Sequence, residues 1–186
     1  MKLFMIKLGA LPKGRLIEQH DMFFGIAEKV QDLVPQFEAA WPEAADNWHI
    51  DCWREVKRVG EWQIRIVPRE HARAQPQKLF FVNLGGYKRG EFEEYHHKML
   101  LVADSSKAAV QQAKDCAFYR EFDFEGAVSH IDDHHGVDID ELYNLNDVLS
   151  AQYKAQYALD ISPAAGGAPE DALHIGYLSR RRFLAE

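Results

Sequence analysis

Lys2-Leu3-Phe4-Met5-Ile6-Lys7-Leu8-Gly9 and Lys78-Leu79-Phe80-Phe81-Val82-Asn83-Leu84-Gly85 are one phrase written twice, 76 residues apart. The same shift superposes residues 2–41 on residues 78–117 without a gap, and eleven of the forty pairs are identical, among them Gly14/Gly90, Glu18/Glu94 and His20/His96. Ordinary composition would leave about two or three identities by chance. After five inserted residues, His49-Ile50-Asp51 recurs as His130-Ile131-Asp132. The chain reads as an internal duplication, and the fold follows from what one copy can form.

Each copy opens with an almost continuously apolar strand, residues 3–8 or 79–84, as expected of a strand covered on both faces. A glycine-bounded loop leads to a second apolar strand, 22–27 or 99–103. In the first copy Val30, Leu33, Val34, Phe37 and Trp41 then mark one side of a helix that Pro42 ends. Pro35 cannot sit inside that helix without removing a hydrogen bond, so a kink or a late start is expected. In the second copy Ala109, Val110, Ala113 and Ala117 form the stripe, after an N-cap at Asp104 or Ser105. Residues 48–56 and 62–67 predict two further strands joined through Gly60-Glu61. In the second copy 138–149 predicts a short helix, 153–161 a strand, 164–169 a loop and 174–178 a last strand.

The expected fold is α+β: two repeated β-β-α-β units with pseudo-twofold symmetry, a mixed sheet flanked by helices, and the strands at 3–8 and 79–84 central. The expected boundaries are 1–68 for the first repeat, 69–77 for a polar linker containing Pro76, 78–150 for the second repeat and 151–186 for a C-terminal extension packing on the same domain.

Composition narrows the function classes. At 186 residues and 47% hydrophobic the chain can bury a sizeable core. Its formal charge of −7, with 29 acidic against 22 basic residues, disfavours nucleic acid and anionic membrane as partners. The run Arg180, Arg181, Arg182 reads as a solvated stripe. Two cysteines, Cys52 and Cys116, lack the spacing of a disulfide framework or a zinc finger and are expected to be reduced. The apolar N-terminal run is too short for a secretory core or a membrane span, and the expected compartment is the cytoplasm.

The paired phrases at 2–9 and 78–87, with Glu18-Gln19-His20-Asp21 and His49-Ile50-Asp51, resemble a bacterial family known as domain of unknown function 1543, here in two tandem copies. The resemblance extends over about residues 1–150, and it implies no activity, cofactor or site residue.

Seven of the nine histidines fall on or beside repeated positions: His20, His49, His96, His97, His130, His134 and His135. If 130–134 is extended, His130, Asp132 and His134 point to one face, where with His96 or His97 they could hold a divalent metal. In the first copy only His49 and Asp51 share that face, since Trp53 replaces the third residue, so the metal expectation falls on the second half. The competing reading, which the sequence favours, is bracing: Glu18/His20 and Glu94/His96 orient the glycine loops while His49 and Asp51 satisfy buried polar groups. Acid–base catalysis by these pairs ranks third.

Gly9 to Gly14 and Gly85 to Gly90 invite comparison with a phosphate loop, but neither is followed by Lys-Ser/Thr and a helix. Lys13 and Arg89 could hold an anion there, against the plainer reading of a tight turn. The four tryptophans are expected to pack rather than bind. Candidate ligand-binding residues are therefore Lys13, Glu18, His20, His49, Asp51, Arg89, Glu94 and His96, and candidate metal ligands His97, His130, Asp132 and His134.

Three function classes follow. The preferred one is a non-catalytic module binding a small molecule or protein. The second is a metal-dependent, hydrolase-like enzyme using the second-repeat cluster. The third is a protein-interaction or inhibitor role, with a homo-oligomer compatible with it.

Overall fold

The computed structural model describes residues 1–122, 125–127, 129–131, 142–166 and 169–185. The chain separates into two compact units, Met1–Ala72 with Leu149–Glu186, and Arg73–Val148. In chain order the first unit holds β1 (Lys2–Ala10), β2 (Gln19–Ala27), α1 (Val34–Ala40), β3 (His49–Glu55), β4 (Arg58–Val59) and β5 (Trp62–Pro68). The second holds β6 (Lys78–Tyr87), β7 (Glu94–Ala103), α2 (Ser106–Lys114), α3 (Ala117–Glu121), β8 (His130–Ile131), β9 (Leu142–Asn144) and α4 (Leu145–Val148). The chain returns to the first unit as α5 (Ala151–Gln156), β10 (Tyr157–Pro163), β11 (His174–Ser179) and α6 (Arg180–Phe183).

The architecture is α+β, with three antiparallel sheets flanked by helices. This corrects the expected mixed sheet: every pairing among the described strands is antiparallel. In the first unit one sheet runs β11-β3-β1-β2 and another β10-β5-β4; in the second, β6 lies between β7 and β8, with β9 also paired to it. The apolar strands β1 and β6 are thus internal in their sheets.

The two long hairpins share their register. β1 pairs with β2 from Lys2 opposite Ala27 to Ala10 opposite Gln19, and each of these rungs recurs between β6 and β7 at numbers 76 higher. The turns match too: Arg15 N donates to Pro12 O and Glu91 N to Lys88 O, both at 3.2 Å. Gly14 and Gly90, with φ of 85° and 84°, supply the left-handed residue those turns require. The third strand keeps step, with His49 opposite Gly9 and His130 opposite Gly85.

One face of the β1 sheet is the core. Phe4, Ile6, Leu8 and Ala10 of β1 pack with Val30, Leu33, Val34 and Phe37 from the helical segment and with Trp48, Ile50 and Phe183. Each such fully buried large side chain stabilises the fold by about 1.5–3 kcal/mol relative to exposure. Pro35 lies in the first turn of α1, after a 3-10 turn at Val30–Leu33, so the α-helix starts late where the ring costs no hydrogen bond. In the second unit Ser105 caps α2, its side chain accepting from Ala108 N.

Several elements differ from expectation. Within 138–149 the described part is a strand, Leu142–Asn144, paired with β6, before the single turn of α4. Short apolar runs carry no decisive period, and pairing with an internal strand chose the extended form. Within 153–161 the chain is first helical, because Ser150 caps α5 by accepting from Tyr153 N, and it becomes a strand only at Tyr157. β5 does not extend the β3 sheet but pairs with β4 and β10. The separating turn is held by buried Asp171, which accepts from Lys57 N and Arg58 N at 3.1 Å, with the Arg54 guanidinium 3.8 Å away. Burial nevertheless raises the Asp171 carboxyl above the ordinary Asp value, against those donors. No helix among the described residues is long and apolar enough to cross a membrane.

Candidate functional site

Side chains alternate along β1, so with Phe4, Ile6, Leu8 and Ala10 committed to the core, Lys7 and Gly9 lie on the opposite face. Gly9 is flanked by His20 on β2 and His49 on β3. Glycine is required here by close approach. A Cβ on residue 9 would lie 2.3 Å from His49 Nε2 and 3.1 Å from His20 Cδ2, so the two imidazoles occupy the room its missing side chain leaves.

A β-bulge brings in the fourth group. Leu8 stands opposite Ile50 but Lys7 opposite Cys52, which leaves Asp51 as an extra residue on β3. The bulge also reverses the alternation beyond it. Trp53 therefore packs against the core, its ring 6.0 Å from Phe4, instead of sharing the His49 face as regular extension would require.

Glu18, His20, His49 and Asp51 form a ring of alternating carboxylates and imidazoles. Glu18 Oε2 is 3.4 Å and Asp51 Oδ2 3.0 Å from His20 Nε2, while Glu18 Oε1 and Asp51 Oδ1 are each 3.3 Å from His49 Nε2. Ligand atoms of Glu18, His20 and His49 all lie within 4.8 Å of one another. His49 is almost fully buried, its side chain 4% exposed, whereas Glu18 and His20 border solvent. The buried atoms His49 Nε2 and Asp51 Oδ2 meet no hydrogen-bond partner. His49 and Asp51 thus stand at ion-pair distance from their neighbours, while no directed hydrogen bond among the described residues reaches His49 Nε2 or Asp51 Oδ2.

The spacing suits a small cation. Zinc-to-ligand distances of about 2.0–2.1 Å place neighbouring tetrahedral ligands about 3.3–3.4 Å apart, and octahedral ones somewhat closer. Two imidazole nitrogens with carboxylate oxygens form a donor set for Zn²⁺ or another first-row divalent ion.

Two groups that sequence reasoning passed over border this ring. Lys7 Nζ is 3.8 Å from Asp51 Oδ2. The Tyr177 ring on β11 lies over the His49 imidazole, centroids 4.4 Å apart and tilted by 32°. Lys7 was legible as a charge breaking an apolar strand two residues before Gly9; Tyr177 carried no signal, because its position depends on β11 pairing with β3.

The remaining candidates are placed differently. Lys13 and Arg89 occupy the second position of the two tight turns. Glu94 Oε2 is 3.9 Å from His96 Nε2, and Glu94 Oε1 accepts from Tyr87 Oη at 2.5 Å. His97, one residue on from His96, points to the other face and stacks on Phe118 with centroids 5.5 Å apart. His130 pairs with Gly85 in β8, and Asp132, His134 and His135 lie outside the described residues. Among the tryptophans, Trp48 is buried in the core and Trp41 and Trp53 pack against it. Of the C-terminal arginines, Arg180 pairs with Glu38 at 2.8 Å, while Arg181 and Arg182 are exposed.

Residues 15–66 match the model of a family described as a Domain of Unknown Function (DUF1543), a segment containing all four residues of the ring. Among solved structures, the crystal structure of a protein Il1583 from Idiomarina loihiensis is similar at a TM-score of 0.55 and 20% identity, covering 96% of each chain. That likeness concerns the fold. No protein with a curated description matches the chain.

Proposed function

We propose that the protein is a metal-binding module whose first unit holds a divalent first-row transition ion through Glu18, His20 and His49, with Asp51 beside them. The observation that carries this reading is the buried, unpartnered His49 Nε2 facing two carboxylates and a second imidazole. A bound cation would satisfy that nitrogen and Asp51 Oδ2 together. The solvent-bordering side at Glu18 and His20 leaves room for a further ligand, which supports a second reading, a metal-dependent enzyme of hydrolase type activating water at that position.

The reading extends to the repeat. Eleven identities in forty pairs and matching rungs support two tandem copies of one unit, with Glu94, His96, His130 and Asp132 as counterparts of the ring.

The test is elemental analysis of untagged protein purified without chelator, with thermal melting before and after EDTA. The expected result is at least one equivalent of zinc, manganese, iron or nickel per chain. Chelation should lower Tm by about 5–10 °C, the shift that metal at a hundredfold its Kd would supply to a chain of this size. Absence of both metal and shift, on reconstitution as well, removes the proposal and leaves the four residues as a polar brace.

A further inference from the structure

We infer that the metal-loaded ring takes a monoanionic carboxylate carrying an apolar group, bound at the open coordination position. This rests on the metal reading above and adds the ligand class. The first argument is charge. Glu18 and Asp51 offset the two charges of the ion, and the Lys7 ammonium, 3.8 Å from Asp51 Oδ2, leaves one positive charge in excess. A monoanion balances it; a neutral ligand leaves it unmatched, and a dianion overshoots.

The second argument is access. His49 is enclosed, but Glu18 and His20 keep 46% and 36% of their side chains exposed, so an incoming ligand approaches from their side. A carboxylate is a hard oxygen donor suited to an ion already held by nitrogen and oxygen.

The third is the rim. Leu16 and Ile17, which directly precede Glu18, are 100% and 75% exposed, and Tyr177 is 67% exposed over the His49 ring. An aromatic ring left largely in water over a charged centre, with two exposed apolar residues preceding Glu18 in the chain, favours a ligand with an apolar body and one charged end. The rim selects the body, and the metal with Lys7 selects the head.

The test uses the full chain loaded with Co²⁺, whose visible absorption reports the coordination sphere, titrated with benzoate, acetate, benzamide and orthophosphate. Benzoate is expected to change the spectrum saturably and about tenfold more tightly than acetate, the difference a partly buried ring supplies. Benzamide should leave the spectrum unchanged, and orthophosphate should bind no more tightly than benzoate. Lys7→Met and Lys7→Gln should keep the Co²⁺ stoichiometry and weaken benzoate about tenfold.

Bound Co²⁺ with no response to benzoate, unchanged benzoate affinity in both Lys7 variants, or tighter orthophosphate binding would each overturn this inference while leaving the metal reading intact. Failure of the wild-type chain to bind Co²⁺ would overturn both.

Discussion

The strand ends at Gly9 and at Gly85 share backbone register, turn and flanking histidines, yet their side chains are used differently. At the first, Glu18 spans both imidazoles, with its oxygens 3.3 and 3.4 Å from the two Nε2 atoms. At the second, Tyr87 donates to Glu94 Oε1, leaving Glu94 Oε2 3.9 Å from His96. Tyr87 occupies the repeat position of Leu11, which has no hydroxyl to offer, and Asn83 occupies that of Lys7. Nearby, Phe118 and Phe122 stack at 4.3 Å, and Phe122 O accepts from Tyr87 N. Among the described contacts, the same backbone sets a carboxylate between two imidazoles at one end, while at the other its counterpart accepts from a phenol and stands 3.9 Å from one imidazole.

Breaking this contrast should have its largest effect at His49. His49→Ala is expected to lower metal affinity in the first unit at least about hundredfold, since it removes the enclosed ligand, whereas His96→Ala should leave that site's affinity unchanged; calorimetric titration of both variants with Zn²⁺ checks this.

Glycine substitutions sharpen the comparison. A Cβ on Gly86 would lie 2.7 Å from Phe122 Cβ and 2.9 Å from its backbone oxygen, so Gly86→Ala should destabilise the second unit by about 1–3 kcal/mol in urea unfolding. Gly9→Ala instead meets the His49 ring and should weaken metal binding about tenfold with the circular dichroism of the sheets retained. Loss of the fold in Gly9→Ala would show that this glycine serves the sheet rather than the site.

Smaller still, Tyr87→Phe removes the hydroxyl from Glu94 and should cost about 1 kcal/mol with no change in first-unit metal affinity, read by the same two assays.

The smallest effect belongs to Asp171. Its folded-state pKa is raised by burial, so its contribution to stability is present below the unfolded carboxyl value and is lost as pH rises through the folded one. Asp171→Asn should flatten that part of the stability profile, measured by urea midpoints across the acidic range, without altering metal affinity.

Much of the fold was legible because the two long hairpins are local in character. The hairpin rungs follow from two apolar runs and a Gly-bounded turn of fixed length, and the pair Asp104-Ser105 marked the start of α2, which Ser105 caps. The α5 start was not legible, because the apolar residues of 153–161 read as one continuous strand, while Ser150 caps the helix that begins at Ala151. Of the ring, Glu18, His20, His49 and Asp51 were each marked by repetition, while their assembly into one donor set was not, because spacing along the chain does not report which strands become neighbours.

By itself the sequence determined the two long hairpins and their turns, which depend on interactions between near neighbours in the chain; it placed the metal expectation on His97, His130, Asp132 and His134 of the second half and not on the ring around Gly9. Only the tertiary structure decided that β3 bulges at Asp51, that Trp53 turns inward to the core, and that β11 lays Tyr177 over His49. A bulge and a strand pairing are set by how separate segments pack, and a one-residue change of register exchanges the two faces of a strand.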